Sequence, residues 1–398
     1  PRKPKIPMAT VNRASGEALR AVAASGGTAT IRSELLEGLF PQVLPVVDIP
    51  GTDGTGDFVL LHGHYDSWDV GVGDNATGNA TLLEIARVLW AHRAELRRGV
   101  RICWWPGHST GRYAGSTWYA DAFAIELDEH CVAQVNCDSP GCRWASSFHD
   151  TTTMSETRAL VQRAIADVAP DAPFGTKRPK QAGDYSFSNI GLTSFYMLSS
   201  TMPDTLRAEK GYYEVSGCGG NIAWHTENDT IEIADRDNLL RDIRIYLLSV
   251  LRVAQPEQLP FDFVAVADEL AATVARYAKA AGDHADLTPA VEATAAFRAA
   301  AAQLSGAPPA RANAAVKRLA RVLVPLNFTT GPRFTHDPAY TAPPLPCLAV
   351  ATELSRHAGQ TLAFAKTQML RGRNRYVAAL REATRIAEAA FTAREHAA

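Results

Sequence analysis

Four short motifs in the first 225 residues carry side chains that commonly bind divalent metal ions. They are H-Y-D-S-W starting at His64, G-D-N around Asp74, N-C-D-S around Asp138 and W-H-T around His225. Each motif alone is a weak signal, because a single His-x-Asp more often lies in a surface loop. Imidazole and carboxylate together suit a borderline ion such as Zn²⁺. In this order and context, the four motifs predict a metallohydrolase.

The elements that must position these motifs alternate between strand-like and helical patterns. Apolar runs indicate strands at 42–49, 57–61, 100–105, 131–137 and 192–198. Helical periodicity falls at 15–24, 80–91, 116–127, 156–168 and 237–253. This alternation predicts an α/β fold with a mostly parallel sheet covered on both faces. Open parallel sheets place their sites beyond the carboxyl ends of the strands, which is where His64 and Asp138 fall.

The composition changes near residue 255. Residues 262–325 and 347–395 are rich in alanine and helical in pattern, and the segments Gly331–Pro332 and Pro343–Pro346 interrupt them. A C-terminal bundle of about four helices is therefore expected. The 398 residues leave room for more than one domain.

Charge and cysteine content exclude several classes of protein. The net charge of −2 provides no broad field for nucleic acid or an anionic membrane, and no apolar run approaches 18 residues. The six cysteines form no C-x-x-C pair, and a chain with this much core does not need a disulfide framework. We expect a cytoplasmic protein, with export as the alternative if an N-terminal signal has been removed.

The motifs resemble those of the co-catalytic zinc aminopeptidase family, peptidase family M28, and within it the glutamate carboxypeptidase and transferrin receptor branch. The family's His-x-Asp-Ser-Trp motif, with a bridging Asp ten residues after the His, is matched by His64–Trp68 and Asp74. Its Asn-x-Asp-Ser is matched by Asn136–Ser139, and its final Tyr-His-Ser/Thr by Trp224–Thr226. The resemblance covers nearly the whole chain.

This resemblance implies a zinc-exopeptidase-like three-layer sandwich with a C-terminal helical bundle. Residues 1–50 would be the remnant of a protease-associated insert with its lead-in, 51–256 the catalytic domain and 257–398 a helical domain of the dimerisation type. A homodimer is therefore expected. The C-terminal part of the resemblance rests on Val316–Tyr340, which contains G-P-R-F-T-H-D-P.

Residue by residue, the resemblance implies a first Zn²⁺ site formed by His64, Asp74 and Asp138. Asp74 would bridge to a second ion held by His225. Asp66 would accept the second ring N–H of His64 and so fix its orientation. Asp229, four residues after His225, either orients that histidine or only shapes a turn.

The chain departs from the family where the catalytic Glu-Glu pair belongs. The matching stretch is Gly107-His108-Ser109-Thr110, and no carboxylate occurs between Arg101 and Asp121. The glycines around His108 allow a close approach to the site. Three explanations stay open: His108 replaces a carboxylate as ligand or base, one metal site acts with weaker proton assistance, or the site is a relic.

Two further departures affect the substrate pocket, for which the candidates are Trp68, Ser109, Asp184 and Trp224. Trp224 stands where the family has its oxyanion tyrosine, and Gly183 precedes Asp184 where the family has asparagine. The sequence predicts a zinc-dependent hydrolase of a C–N bond in a small amide or peptide-like substrate. The alternatives are a catalytically silent, transferrin-receptor-like homodimeric binding module and a metal-dependent enzyme with a changed, non-peptidase reaction.

Overall fold

A computed structural model of the chain describes residues 6–34, 38, 40–180, 185–196, 199–338 and 342–391. The chain divides into two compact units, residues 1–43 and 44–398. The first unit holds helix α1 (Arg13–Ala24), which begins after Asn12. The Asn12 side chain accepts a hydrogen bond from the backbone N–H of Ser15 and so caps the helix. Everything below concerns the second unit.

A five-stranded, mostly parallel sheet forms the centre of the second unit. The strand bounds, including a separate parallel pair of β5 and β6, are β1 Val46–Ile49, β2 Phe58–His64, β3 Gly99–Trp105, β4 Cys131–Asn136, β5 Phe148–Thr152, β6 Phe174–Lys177 and β7 Ser194–Phe195. The five strands of the sheet are ordered β1-β3-β2-β4-β7, with β1 antiparallel to β3 and the other neighbours parallel.

Helices cover both faces of this sheet. These helices and one short one are α2 Thr77–Ala91, α3 Ala114–Ala122, α4 Ala124–His130, α5 Arg158–Val168, α6 Asp204–Glu209 and α7 Arg236–Ala254. Along β2, Val59 and Leu61 pack in the same core cluster as α2, α5 and α7, whereas Phe58 and Leu60 pack with α3 and α4 on the other face. The predicted three-layer α/β fold is therefore confirmed.

The predicted C-terminal helical region is also confirmed. The long helices that the described residues form after 262 are α8 Phe263–Ala281, α9 Thr288–Ala301, α10 Pro309–Phe328 and α11 Gly359–Ala389. Their apolar side chains belong to one core cluster with the sheet. Among the described helices, none is long and apolar enough to cross a membrane. The proposed domain boundaries at 50 and 256 stay a prediction.

Three elements differ from the sequence-based expectation. The helix predicted at 116–127 is two helices, because Phe123 leaves helical geometry. Within the described residues, the strand predicted at 192–198 is only Ser194–Phe195; residues 197 and 198 lie outside them. The strands β5 and β6 escaped prediction because F-H-D-T-T and F-G-T-K are short and largely polar.

A buried carboxyl group lies where the sheet meets the C-terminal helices. Glu156 precedes α5, and its carboxyl group accepts a hydrogen bond of 3.0 Å from the Thr193 hydroxyl. Burial raises the pKa of Glu156 to about 7. The folded state therefore holds this proton more tightly than the unfolded chain, and stability falls as the pH rises from the unfolded pKa towards 7.

We expect Glu156→Gln to remove this pH dependence. Between pH 5 and pH 8 the wild type should lose about 2 kcal/mol of unfolding free energy through this group, and the variant should not. Urea denaturation of both proteins at the two pH values measures the difference. Parallel pH profiles for wild type and variant would contradict the raised pKa.

Candidate metal centre

Three predicted ligands meet at the carboxyl ends of β2 and β4. The Nε2 atom of His64 lies 2.9 Å from Oδ1 of Asp74 and 3.7 Å from Oδ2 of Asp138. His64 is the last residue of β2 and is fully buried, while Asp138 follows β4 and is partly exposed. The sheet topology thus brings together residues that are up to 74 positions apart in the sequence.

The side chain of Asn75, which the sequence did not single out, ties these loops together. Its amide nitrogen donates to the carbonyls of His64 (3.2 Å) and Cys137 (3.0 Å), and its amide oxygen accepts from the N–H of Ser139 (2.9 Å). One buried side chain therefore fixes the segments that carry all three ligands. In the sequence, the position of Asn75 directly after Asp74 was the feature that could have identified it as part of the centre.

Asp229 fixes the backbone at Asp74 rather than the ring of His225. Its carboxylate accepts the N–H groups of Gly73 at 2.6 Å and Asp74 at 2.9 Å. Asp229 is buried, so these hydrogen bonds are shielded from water. The suggestion that Asp229 orients His225 directly is not supported, because the residue acts on the loop that carries Asp74.

The contact between His64 and Asp74 leaves two buried polar atoms unsatisfied. Nε2 of His64 and Oδ1 of Asp74 are close, but neither has a well-aligned hydrogen bond among the described residues. Burial alone would lower the pKa of His64, but the carboxylates of Asp138 and Asp74 outweigh it and raise that pKa well above its usual value. Burial opposes the charge of Asp74, but the imidazoles of His225 and His64, at 3.0 and 2.9 Å from its oxygens, outweigh it and hold its pKa far below the usual range.

Asp66 organises the backbone of segment 108–110. Its carboxylate accepts the backbone N–H groups of His108 (2.8 Å), Ser109 (3.0 Å) and Thr110 (3.0 Å), and also the Thr110 hydroxyl (3.0 Å). Nδ1 of His64 lies 2.8 Å from the backbone oxygen of Asp66, whereas the carboxylate is 3.9 Å away. The ring is thus oriented by the backbone of Asp66, not by the carboxylate that the sequence analysis expected.

The hydrogen bonds to Asp66 hold the His108 ring beside the predicted metal ligands. It stacks on the His64 ring, with centroids 4.0 Å apart and an angle of 8° between the planes, and Tyr113 packs against its edge. Ligand-type atoms of His64, His108 and Asp138 all lie within 4.8 Å of one another. The structure therefore brings His108 to the predicted ligands.

His225 and Trp224 lie on the opposite side of Asp74. Nε2 of His225 is 3.0 Å from Asp74 Oδ2, and the indole N–H of Trp224 donates to the same oxygen at 2.8 Å. The two rings stack with centroids 3.9 Å apart. Asp74 therefore lies between His64 on one side and a histidine–tryptophan pair on the other.

A cleft of about 380 Å³ opens over the centre. Trp68, Ser109 and Trp224 line it, as the sequence predicted for a substrate pocket, and Trp68 is 48% exposed. Asp184, the fourth predicted pocket residue, lies outside the described residues. The cleft suits a small molecule with a polar group directed at the buried ligands.

Four hydrogen bonds from residues 108–110 converge on the Asp66 carboxylate, so a substitution at Asp66 tests whether the centre depends on the geometry of this loop. In Asp66→Asn one oxygen acceptor becomes an NH₂ donor that faces other donors, so we expect a 10–100-fold loss of metal affinity or activity. Competition with a chelating dye measures the affinity. The control is Asp69→Asn, an exposed carboxylate three residues along, which should leave both quantities unchanged. Equal behaviour of the two variants would mean that the loop does not need Asp66.

Comparison with known proteins gives a family for the region that contains the centre. The profile of Peptidase family M28 matches residues 46–249, slightly more than half of the chain. The matched range contains the sheet, the helices that cover it except the last turn of α7, and every candidate ligand named above. The resemblance inferred from the motifs is therefore confirmed.

Individual relatives match over shorter regions. Probable glutamate carboxypeptidase VP8 of Zea mays is 31% identical over 234 residues, which are 56% of this chain and 32% of the maize protein. Aminopeptidase NAALADL1 of Mus musculus is 32% identical over 112 residues, or 27% of this chain and 14% of the mouse protein. The chain thus spans about a third or less of these relatives. A zinc aminopeptidase from Bacillus subtilis has a TM-score of 0.43 and 21% identity, covering 54% of this chain and 50% of that one.

Proposed function

Because this chain belongs to Peptidase family M28, we propose that it is a zinc-dependent hydrolase of a C–N bond in a small peptide-like or amide substrate. The family assignment supports a metallopeptidase. That residues 107–110 form an altered active site without the usual glutamate base is part of the proposal. Both curated relatives are named as peptidases, one a probable glutamate carboxypeptidase and one an aminopeptidase.

The observation that carries the proposal is the close pair of buried atoms at His64 and Asp74. An imidazole nitrogen and a carboxylate oxygen that lie 2.9 Å apart without hydrogen-bond alignment are placed as two ligands of one cation would be. Asp138 and His108 each have a ligand-type atom within 4.8 Å of one from His64. Imidazole nitrogens and carboxylate oxygens are donors that suit zinc.

His64, Asp74 and Asp138 would hold the ion in this centre. The chemistry that zinc supplies in such a site is Lewis-acid activation of water and of the scissile carbonyl. In this proposal the His108 imidazole would take the place of the family's carboxylate and hold or pass on a proton at a ring nitrogen. Trp68 and Trp224 would bound the space occupied by the substrate amide.

Metal analysis of protein purified without chelator tests the proposal. We expect bound zinc in the wild type, and we expect His64→Ala and Asp138→Ala to lose metal and peptide or amide hydrolysis together, because each removes a direct ligand. The exposed His92, whose replacement by alanine should change neither, is the matched control. Less than about 0.2 zinc per chain after reconstitution would favour the silent binding module instead.

The oligomeric state belongs to the same proposal. We expect a homodimer formed through the C-terminal helices, on which Phe364 and Leu370 of α11 are 67% and 48% exposed. Exposed apolar side chains of this size are often covered by a partner. Light scattering at micromolar concentration should give twice the monomer mass of 42.9 kDa. A mass near that of the monomer would rule the dimer out.

A further inference from the structure

We propose that this centre binds one divalent ion and that Trp224 closes the position a second ion would need. This inference rests on the proposed function, because it concerns the number of ions in the same centre. It starts from the unequal surroundings of the two oxygens of Asp74. Oδ1 faces His64 and lacks a well-aligned hydrogen bond, whereas Oδ2 accepts the indole N–H of Trp224 at 2.8 Å.

An indole N–H is a donor only and keeps its hydrogen at any ordinary pH. A cation that bound Oδ2 from the side of Trp224 would displace a hydrogen bond and approach the positive end of the N–H dipole. The carboxylate oxygen that a bridging role requires is therefore already engaged by a group that repels cations. Oδ1 instead faces Nε2 of His64 at 2.9 Å, and an imidazole nitrogen, unlike an indole N–H, can serve as a metal ligand.

The Trp224 side chain has little room to move away. A Cβ added at Gly217 would lie 2.0 Å from the indole nitrogen, so the ring packs directly against the backbone of that glycine. The indole also stacks on His225, with centroids 3.9 Å apart and 27° between the planes. Contacts with both Gly217 and His225 thus hold the indole in the position from which it reaches Asp74.

The second position also lacks ligands. Structural zinc sites use four protein ligands and catalytic sites use three. Over the part of the chain that the structure describes, three or more metal-binding side chains come together only at His64, His108 and Asp138. His225 meets Asp74 alone, at 3.0 Å from the oxygen that Trp224 already occupies. Hence His225 is a positioning residue that holds Asp74.

The stoichiometry of bound zinc tests the inference. Wild-type protein equilibrated with zinc and then desalted should carry one ion per chain by elemental analysis. His225→Gln should also carry one, because it removes no ligand of the occupied position, and His64→Ala should carry none. Circular dichroism confirms that each variant is folded.

Other numbers of zinc ions per chain would distinguish a failure of the single-ion inference from a failure of the proposed function. Two ions in the wild type that fall to one in His225→Gln would overturn the single-ion inference and leave the proposed function standing. No ion in the wild type would overturn the proposed function, and the inference with it. Cobalt-loaded protein gives an independent readout, because a lone high-spin Co²⁺ shows an uncoupled electron paramagnetic resonance signal. A spin-coupled pair would contradict the inference.

Trp224→Phe tests the part of the inference that concerns the indole. The variant keeps an aromatic ring but frees Asp74 Oδ2, so calorimetric titration to millimolar zinc should show a second, weaker binding event that the wild type lacks. Trp118→Phe, an exposed tryptophan on α3, is the matched control and should behave as wild type. The absence of a second event in Trp224→Phe would show that Trp224 does not close the position.

Discussion

Replacing His108 by alanine is expected to lower kcat by about 10²- to 10⁴-fold, the range that a positioned acid–base group contributes. The ring stacks on His64 at 4.0 Å, and a ligand-type atom of His108 lies within 4.8 Å of those of His64 and Asp138. Turnover of a peptide or amide panel by the wild type identifies the substrate on which the variant is then measured.

The metal content of His108→Ala distinguishes its two roles. Lost zinc together with lost turnover identifies a ligand, whereas retained zinc with lost turnover identifies a proton-transfer group. His92→Ala is the control, because His92 is an exposed histidine paired with Glu95 and does not line the cleft. Unchanged zinc and unchanged kcat in His108→Ala would mean that the histidine only shapes the turn.

The metal-binding part of the centre could be predicted from sequence because it depends on short local patterns. His64 ends a buried strand and Asp138 follows another, and neighbouring parallel strands bring their carboxyl ends together whatever the loops do. The complete burial of β2 likewise follows from its apolar run. Such features need only the identity and order of the strands.

The contacts that decide how the centre works could not be predicted in this way. The Asp66 carboxylate meets N–H groups 42 to 44 positions away, and the Trp224 indole meets a carboxylate 150 positions away. Both depend on the path of a loop rather than on periodicity. Motif matching expected Asp66 to contact the His64 ring through its carboxylate, and only the loop geometry shows that the backbone oxygen does so.

A buried arginine joins the C-terminal helices to the sheet, and its loss is expected to cost about 3–5 kcal/mol of unfolding free energy. Arg321 lies on α10 and is 7% exposed. Its guanidinium donates to the backbone oxygens of Leu127, Asp128, Cys131 and Gly191 at 2.7–3.0 Å and to the Asp128 carboxylate at 3.1 Å. Arg321→Ala would leave these acceptors buried without their donor.

Arg318→Ala is the matched control, because Arg318 is exposed on the same helix, and it should change stability by less than about 0.5 kcal/mol. Arg321→Lys keeps the charge but loses the planar fork that reaches several acceptors at once, so it should fall between the two alanine variants. Urea denaturation at pH 7 measures all three. If Arg321→Ala and Arg318→Ala were equally stable, the guanidinium would not hold α10 against the end of α4. A large loss confined to Arg321 would instead make the C-terminal helices part of one cooperative unit with the sheet that carries the metal centre, consistent with the single core cluster that spans both.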